Sequence, residues 1–213
     1  MGPAFVLGNG VSRQGLPLHD IKQNGPIYGC NALYRDFTPD VLVATDKPIA
    51  LEIESTGYPI KNKFYTRRPT QGLGALDIPR PYFGFSSGPV ATALAATDKH
   101  RKIYMIGFDI GPTTDKKFNN LYAGTEFYKT PGSEPTYTGN WVKQIQQICG
   151  TFTQTKFIRV CGTTTARLTE LEKMIIPFLT KLHSTGDKEY IYWPNRKPAI
   201  EKQIEKILKL TRE

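Results

Sequence analysis

The sequence predicts an α/β fold, a Rossmann-like and mostly parallel sheet with helices on both faces. Two observations carry this. Short apolar runs ending in Gly, Asn or Asp recur along the chain, and stretches with helical spacing lie between them. Strands covered on both sides read as unbroken apolar runs, because crossover helices bury each face of a parallel sheet. With 213 residues, of which 39% are hydrophobic and 22% charged, the chain suits a single domain spanning residues 1–213, with a substantial core.

The elements follow in order. AFVLGNG (4–10), IYGCN (27–31) and DVLVATD (40–46) read as three buried strands with loops at their carboxyl ends. Residues 47–85 are rich in proline and glycine and are expected as loops forming a reduced lid over the sheet. SSGPVATALAATDKH (86–100) predicts a helix with Val90, Ala93, Leu94 and Thr97 on one face, and KIYMIGFD (102–109) predicts the next strand. Residues 111–139 are polar, with several glycines and tyrosines, which suits a mobile flap. TGNWVKQIQQICG (138–150) predicts a helix with Trp141, Ile145 and Ile148 on one face, and KFIRVCG (156–162) a further strand. At the end of the chain, residues 198–213 predict an amphipathic helix, with Pro198 in its first turn and Ile200, Ile204, Ile207 and Leu208 on one face.

Composition removes several function classes. No apolar run is long enough to span a bilayer, and MGPAFVLGNG lacks the basic start of a secretory signal, so a soluble, cytoplasmic protein is expected. Cys30, Cys149 and Cys161 are odd in number and lack CxxC spacing. They suggest reduced, buried thiols rather than a disulfide framework or a zinc site. The net charge of +9 would suit an anionic partner, but the basic residues are scattered and no basic block alternates with aromatics. That pattern argues against nucleic acid and reads as a solvated basic surface, and charge alone does not choose between an anionic surface and a phosphorylated ligand.

The loops supply the chemistry. Gly8, Asn9 and Gly10 follow the first strand as in a dinucleotide fingerprint, but Arg13 stands where the third glycine belongs, and Gly15 and Pro17 interrupt the helix. The stretch therefore reads as a turn offering the Asn9 amide, the Ser12 hydroxyl and the Arg13 cation to a ribose or phosphate. Asn31, Asp46 and Asp109 follow other strands at the same sheet edge. Ser86-Ser87-Gly88-Pro89 opens a helix whose free N–H groups make an anion site. Together these predict a mononucleotide pocket.

GNG-x-S (8–12), GCN (29–31), SSG (86–88) before a small-residue helix, and KIYMIGFD (102–109) occur in an order that resembles the bacterial lipooligosaccharide sialyltransferases, which use CMP-sialic acid, and the wider group sharing their donor-binding core. The resemblance implies a sialyltransferase-like fold, catalysis without a metal, and Asn9, Asn31, Ser86, Ser87 and Gly88 as nucleotide contacts, with Gly107 and Asp109 close by and Tyr122 loosely matching a family tyrosine. The reading of the first loop adds Gly8, Gly10 and Ser12 to the expected nucleotide site. Three family features are missing. Gly84 and Phe85 stand where the family has an arginine before the hydroxyl-Ser-Gly turn, Ile110-Gly111 follows Asp109 where it has a tyrosine, and SEPTYTGNWVKQI holds no histidine to act as general base.

Three readings follow. The first is a glycosyltransferase-like enzyme using a nucleotide sugar, most directly a CMP-linked one, with Asp46, Asp109 or Glu126 as candidate base and Lys116, Lys117 and Tyr122 beside the departing phosphate. The second is a non-catalytic protein that keeps the nucleotide pocket, such as a binding module, a regulatory protein or a component of an assembly such as a virion, and a homo-oligomer or protein assembly is the partner expected beside the nucleotide. In the third, Asp46 and Asp109 hold Mg²⁺ for pyrophosphoryl transfer.

Overall fold

In the central strands consecutive side chains enter two different cores. Ala4 and Val6 of the first strand pack with Val41, Val43, Ile103 and Met105 on one face, while Phe5 and Leu7 pack with Leu42, Ala44, Tyr104 and Ile106 on the other. This period of two, apolar on both faces, is what a sheet between two helical layers requires. The computed structural model describes residues 2–162 and 188–193.

The sheet runs β5-β4-β3-β2-β1-β6-β7-β8. Its strands are β1 (Ala4–Leu7), β2 (Ile27–Cys30), β3 (Val41–Ala44), β4 (Phe64–Thr66), β5 (Leu76–Asp77), β6 (Lys102–Ile106), β7 (Lys156–Gly162) and β8 (Lys188–Trp193). β1 to β7 are parallel, and β8 pairs antiparallel with β7 at the edge. Helices α1 (Leu18–Lys22), α2 (Lys47–Ser55) and α3 (Tyr58–Lys61) follow β1 and β3. Ile21 of α1 and Ile49, Ala50 and Ile53 of α2 pack with Phe5 and Leu7. Helices α4 (Ser87–Thr97) and α5 (Gly139–Thr151) cover the opposite face. No helix among the described residues is long and apolar enough to cross a membrane.

Two expectations need correction. Residues 47–85 are not simply loop, since they hold α2, α3, β4 and β5. Their strands are only three and two residues long, too short to give an apolar run. Nor does α4 have a single buried stripe. Val90, Ala93 and Leu94 are buried as expected, but Thr97 is exposed, and Ala91, Thr92, Ala95 and Ala96 are buried too. The helix is enclosed because β1, β2, β3 and β6 lie beneath it and α5 lies against it. Alanines at this interface allow that close approach.

Residues 111–138 contain no helix or strand, yet part of the segment is tied to the body. Leu121 N–H donates to Asn9 O at 2.7 Å, Ala32 N–H donates to the Tyr128 hydroxyl at 3.3 Å, and Arg35 donates to the Thr125 hydroxyl at 3.2 Å. The helix expected over 198–213 lies outside the described residues.

Cys30 and Cys149 are each 3% exposed. Burial pushes both thiols up to about 12, partly opposed at Cys30 by the Arg13 charge and at Cys149 by a backbone hydrogen bond. Thiolate is the reactive form. Both cysteines should therefore escape labelling by an aromatic disulfide reagent in the native protein at mildly alkaline pH and react after denaturation, as read by peptide mass mapping.

Candidate functional site

Strand order creates the site. β1 lies between β2 and β6, and the chain crosses from one face of the sheet to the other between those neighbours. Loops leaving the carboxyl ends of β1 and β6 bound the crevice that such a switch opens. Gly8 N–H donates to Ile106 O at 2.8 Å and Gly10 N–H donates to Gly107 O at 2.9 Å, so the two loops are laced together. A Cβ on Gly8 would sit 2.5 Å from the Gly107 carbonyl oxygen, and Gly107 itself has φ +72°. Both positions therefore require glycine.

Side chains behind these loops hold them in place. The Asp109 carboxylate accepts the Ser12 N–H at 3.1 Å and also the Ser12 hydroxyl. Arg13 is 6% exposed. Its Nε donates to Gly8 O at 2.8 Å, and one terminal nitrogen donates to Asn9 Oδ1 at 3.3 Å and to the Tyr122 hydroxyl at 3.4 Å. Asn9 Nδ2 donates to Cys30 O at 3.1 Å, and the Tyr122 hydroxyl donates to Asp36 at 2.7 Å. Burial, followed by the Asp36 hydrogen bond, pushes the Tyr122 phenol up and keeps it a neutral donor.

The opposite wall comes from β2, β3 and α4. Asn31 takes φ +50°, a left-handed conformation that asparagine tolerates better than most residues. The Ser87 hydroxyl donates to Asn31 Oδ1 at 2.8 Å and accepts the Thr45 N–H at 3.0 Å. This leaves Asn31 Nδ2 with no partner among the described residues. The N–H groups of Ser87 and Gly88 likewise have none, as expected in the first turn of a helix. Ser86 makes no side-chain cap, and its own N–H is taken by Gln144 Oε1 at 2.9 Å.

Between the walls lies a cavity of about 350 Å³. Of the expected nucleotide-site residues, Gly8, Asn9, Gly10, Asn31, Ser86, Ser87, Gly88, Gly107 and Asp109 line it, whereas Ser12 and Tyr122 do not. Those two act from behind, on Asp109 and Arg13. Of the candidate bases, Asp46 lines the cavity, is exposed, and accepts no side-chain hydrogen bond from any described residue. Asp109 lines it but already holds Ser12. Glu126 is exposed and does not line it, and neither Lys116 nor Lys117 does. His19 and His100 also lie elsewhere, His100 against Gly2 O.

Sequence reasoning missed Asn119 and Asn120, which reach the cavity from the non-periodic segment, and Phe108 and Ile110, which with Trp141 and Ile145 form an apolar wall. Trp141 and Ile145 were legible only as core positions of α5. Among the described residues, no lysine or arginine lines the cavity. Among the described residues, no three His, Cys, Asp or Glu side chains cluster so as to hold a metal.

The lacing of the two loops has a measurable consequence. Gly107→Ala forces a side chain into a left-handed conformation 2.7 Å from Gly8 O and should cost about 2 kcal/mol in a denaturant titration. Gly150→Ala, where a Cβ meets nothing within 4 Å, should instead stabilise α5 by up to about 1 kcal/mol. No protein-family model, curated protein or solved structure matches the chain.

Proposed function

We propose that the cavity between β1 and β6 holds the nucleotide of a nucleotide-activated sugar and that the chain transfers the sugar to an acceptor hydroxyl. The observation that carries this reading is the set of donors left free around it: Asn31 Nδ2 and the first N–H groups of α4, facing a cavity of about 350 Å³ at the topological switch. Such a helix start suits a phosphate through both its free N–H groups and its dipole. Trp141, Phe108 and Ile110 offer an apolar surface for the flat face of a base or sugar. The order of motifs resembling sialyltransferases makes CMP the first nucleotide to test.

In this reading the acceptor oxygen bonds to the anomeric carbon as the bond from that carbon to the nucleotide phosphate oxygen breaks. The bonding pair leaves with the phosphate. Its growing charge is met by the start of α4, a fixed set of dipoles needing no rearrangement. The acceptor proton passes to Asp46, the cavity-lining carboxylate not already engaged. A second reading has one observation in its favour: among the described residues the cavity wall carries two carboxylates and no cation, so the ligand phosphate would arrive as its Mg²⁺ complex.

Thermal unfolding with CMP, UMP, AMP and GMP, each with and without Mg²⁺, decides between them. A ligand at a hundredfold its Kd stabilises the native state by about 2.7 kcal/mol, a rise of several degrees for a domain of this size. CMP should give that rise without Mg²⁺. Asn31→Asp keeps an acceptor for Ser87, removes the amide donors and sets a carboxylate charge against the phosphate, and it should abolish the rise. A strict Mg²⁺ requirement would favour the second reading, and no rise with any nucleotide at millimolar concentration overturns both.

Asp46→Asn should still be stabilised by CMP and should lose roughly a hundredfold or more of its sugar-releasing activity on CMP-sialic acid. Stabilisation by CMP with no release by the unaltered protein would instead identify a non-catalytic binder.

A further inference from the structure

A second cavity, of about 560 Å³, lies on the other side of Asp46 and shares Thr45 and Asp46 with the first. α2 supplies Lys47 and Glu54, the loop after β4 supplies Arg67 and Arg68, and Phe83 also lines it. The two cavities are thus neighbours across one unpartnered carboxylate.

Their chemistry differs. Among the described residues the first cavity has no cationic side chain on its wall, while the second has three, Lys47, Arg67 and Arg68. Arg67 donates to Phe83 O and Phe85 O, each at 2.9 Å, so its charge is fixed in place by carbonyls and not offset by a carboxylate. Lys47 and Arg68 are exposed and form no ion pair among the described residues. Two carboxylates oppose them, the shared Asp46 at the boundary and Glu54, 3% exposed, whose two oxygens accept the Thr70 N–H at 2.9 Å and the Thr70 hydroxyl at 2.6 Å. The role of Glu54 in the wall is to fasten the loop after β4, and the free donors there are cationic.

We propose that this second cavity is the acceptor subsite and that it takes a small polyhydroxylated acceptor bearing a carboxylate or phosphate. Resting on the transferase reading above, the proposal adds the class of acceptor. The anionic group lies against Lys47, Arg67 and Arg68, and a hydroxyl points back toward Asp46 and the donor. That hydroxyl oxygen forms the new bond to the anomeric carbon, its proton goes to the Asp46 carboxylate, and the bond to the nucleotide phosphate breaks with its electron pair on the phosphate. Neutral sugars gain nothing from the cations, so selectivity resides in this wall.

Calorimetric titration of the full chain with glucose 6-phosphate, galacturonate and glucose tests this, using the unaltered protein and a Lys47→Ala/Arg68→Ala double variant, which leaves the Arg67 brace intact. At least one anionic probe should bind the unaltered protein while glucose does not, and the double variant should bind it at least tenfold more weakly. Which anionic probe binds more tightly tells phosphate from carboxylate. Equal binding of glucose, no binding of either anion at millimolar concentration, or unchanged affinity in the double variant overturns the proposal. The CMP-induced rise in unfolding temperature, read on both proteins, keeps the two proposals separate. CMP should stabilise both, and its failure to stabilise the unaltered protein counts against the nucleotide cavity while the sugar titration still decides the second.

Discussion

The architecture of the site depends on a buried guanidinium. Arg13 has no carboxylate within ion-pair distance among the described residues, and its charge is met instead by Gly8 O, the Asn9 amide and the Tyr122 hydroxyl, which leads on to Asp36. A buried cation without acceptors would cost several kcal/mol, so these groups are held to Arg13 as firmly as Arg13 is held to them. Through them one side chain joins the loop after β1, the end of β2 by way of Asn9 and Cys30 O, and residues 119–128.

Much of the central sheet could be read from the chain, for a simple reason. In β1, β2, β3 and β6 burial on both faces leaves continuous apolar runs, and in β7 the run is broken only by Arg159, a signal that survives without knowledge of the neighbours. β4 and β5 lack it because FYT and LD are too short to form a run, and their pairing follows from their position beside β3. α2 did carry a signal. Ile49, Ala50 and Ile53 have helical spacing after Asp46 and Pro48, but the surrounding prolines and glycines obscured it.

The candidate site divides in a similar way. Residues directly following strands, such as Asn9, Asn31, Asp46 and Asp109, could be placed at one sheet edge from sequence, because a parallel sheet sends every such loop to the same end. Direction could not be read. Ser12 points at Asp109 and Tyr122 at Arg13 and Asp36, so both support the wall from outside the cavity. Arg13, which looked like a defect in a glycine motif, is the anchor of the loop. Asn119 and Asn120 belong to a segment with no period, where only the folded chain reveals what lies near what.

Helix α4 leaves the protein little freedom at one end of the site and much at the other. Enclosed by four strands and α5, its first turn cannot shift without repacking the interior, so the spacing between Asn31 and the start of that helix is fixed by the core. The remaining boundaries are looser: residues 47–85 bury Ile49, Ile53, Phe64 and Ile78 but leave Leu51, Ile60 and Leu76 exposed, and residues 111–138, without helix or strand, bury Tyr122 on one face of the sheet. Variants of this chain adapted to different small molecules would accordingly keep one end of the cavity constant and change the other through insertions or exchanges in those two segments. The fold separates what must stay from what is able to drift.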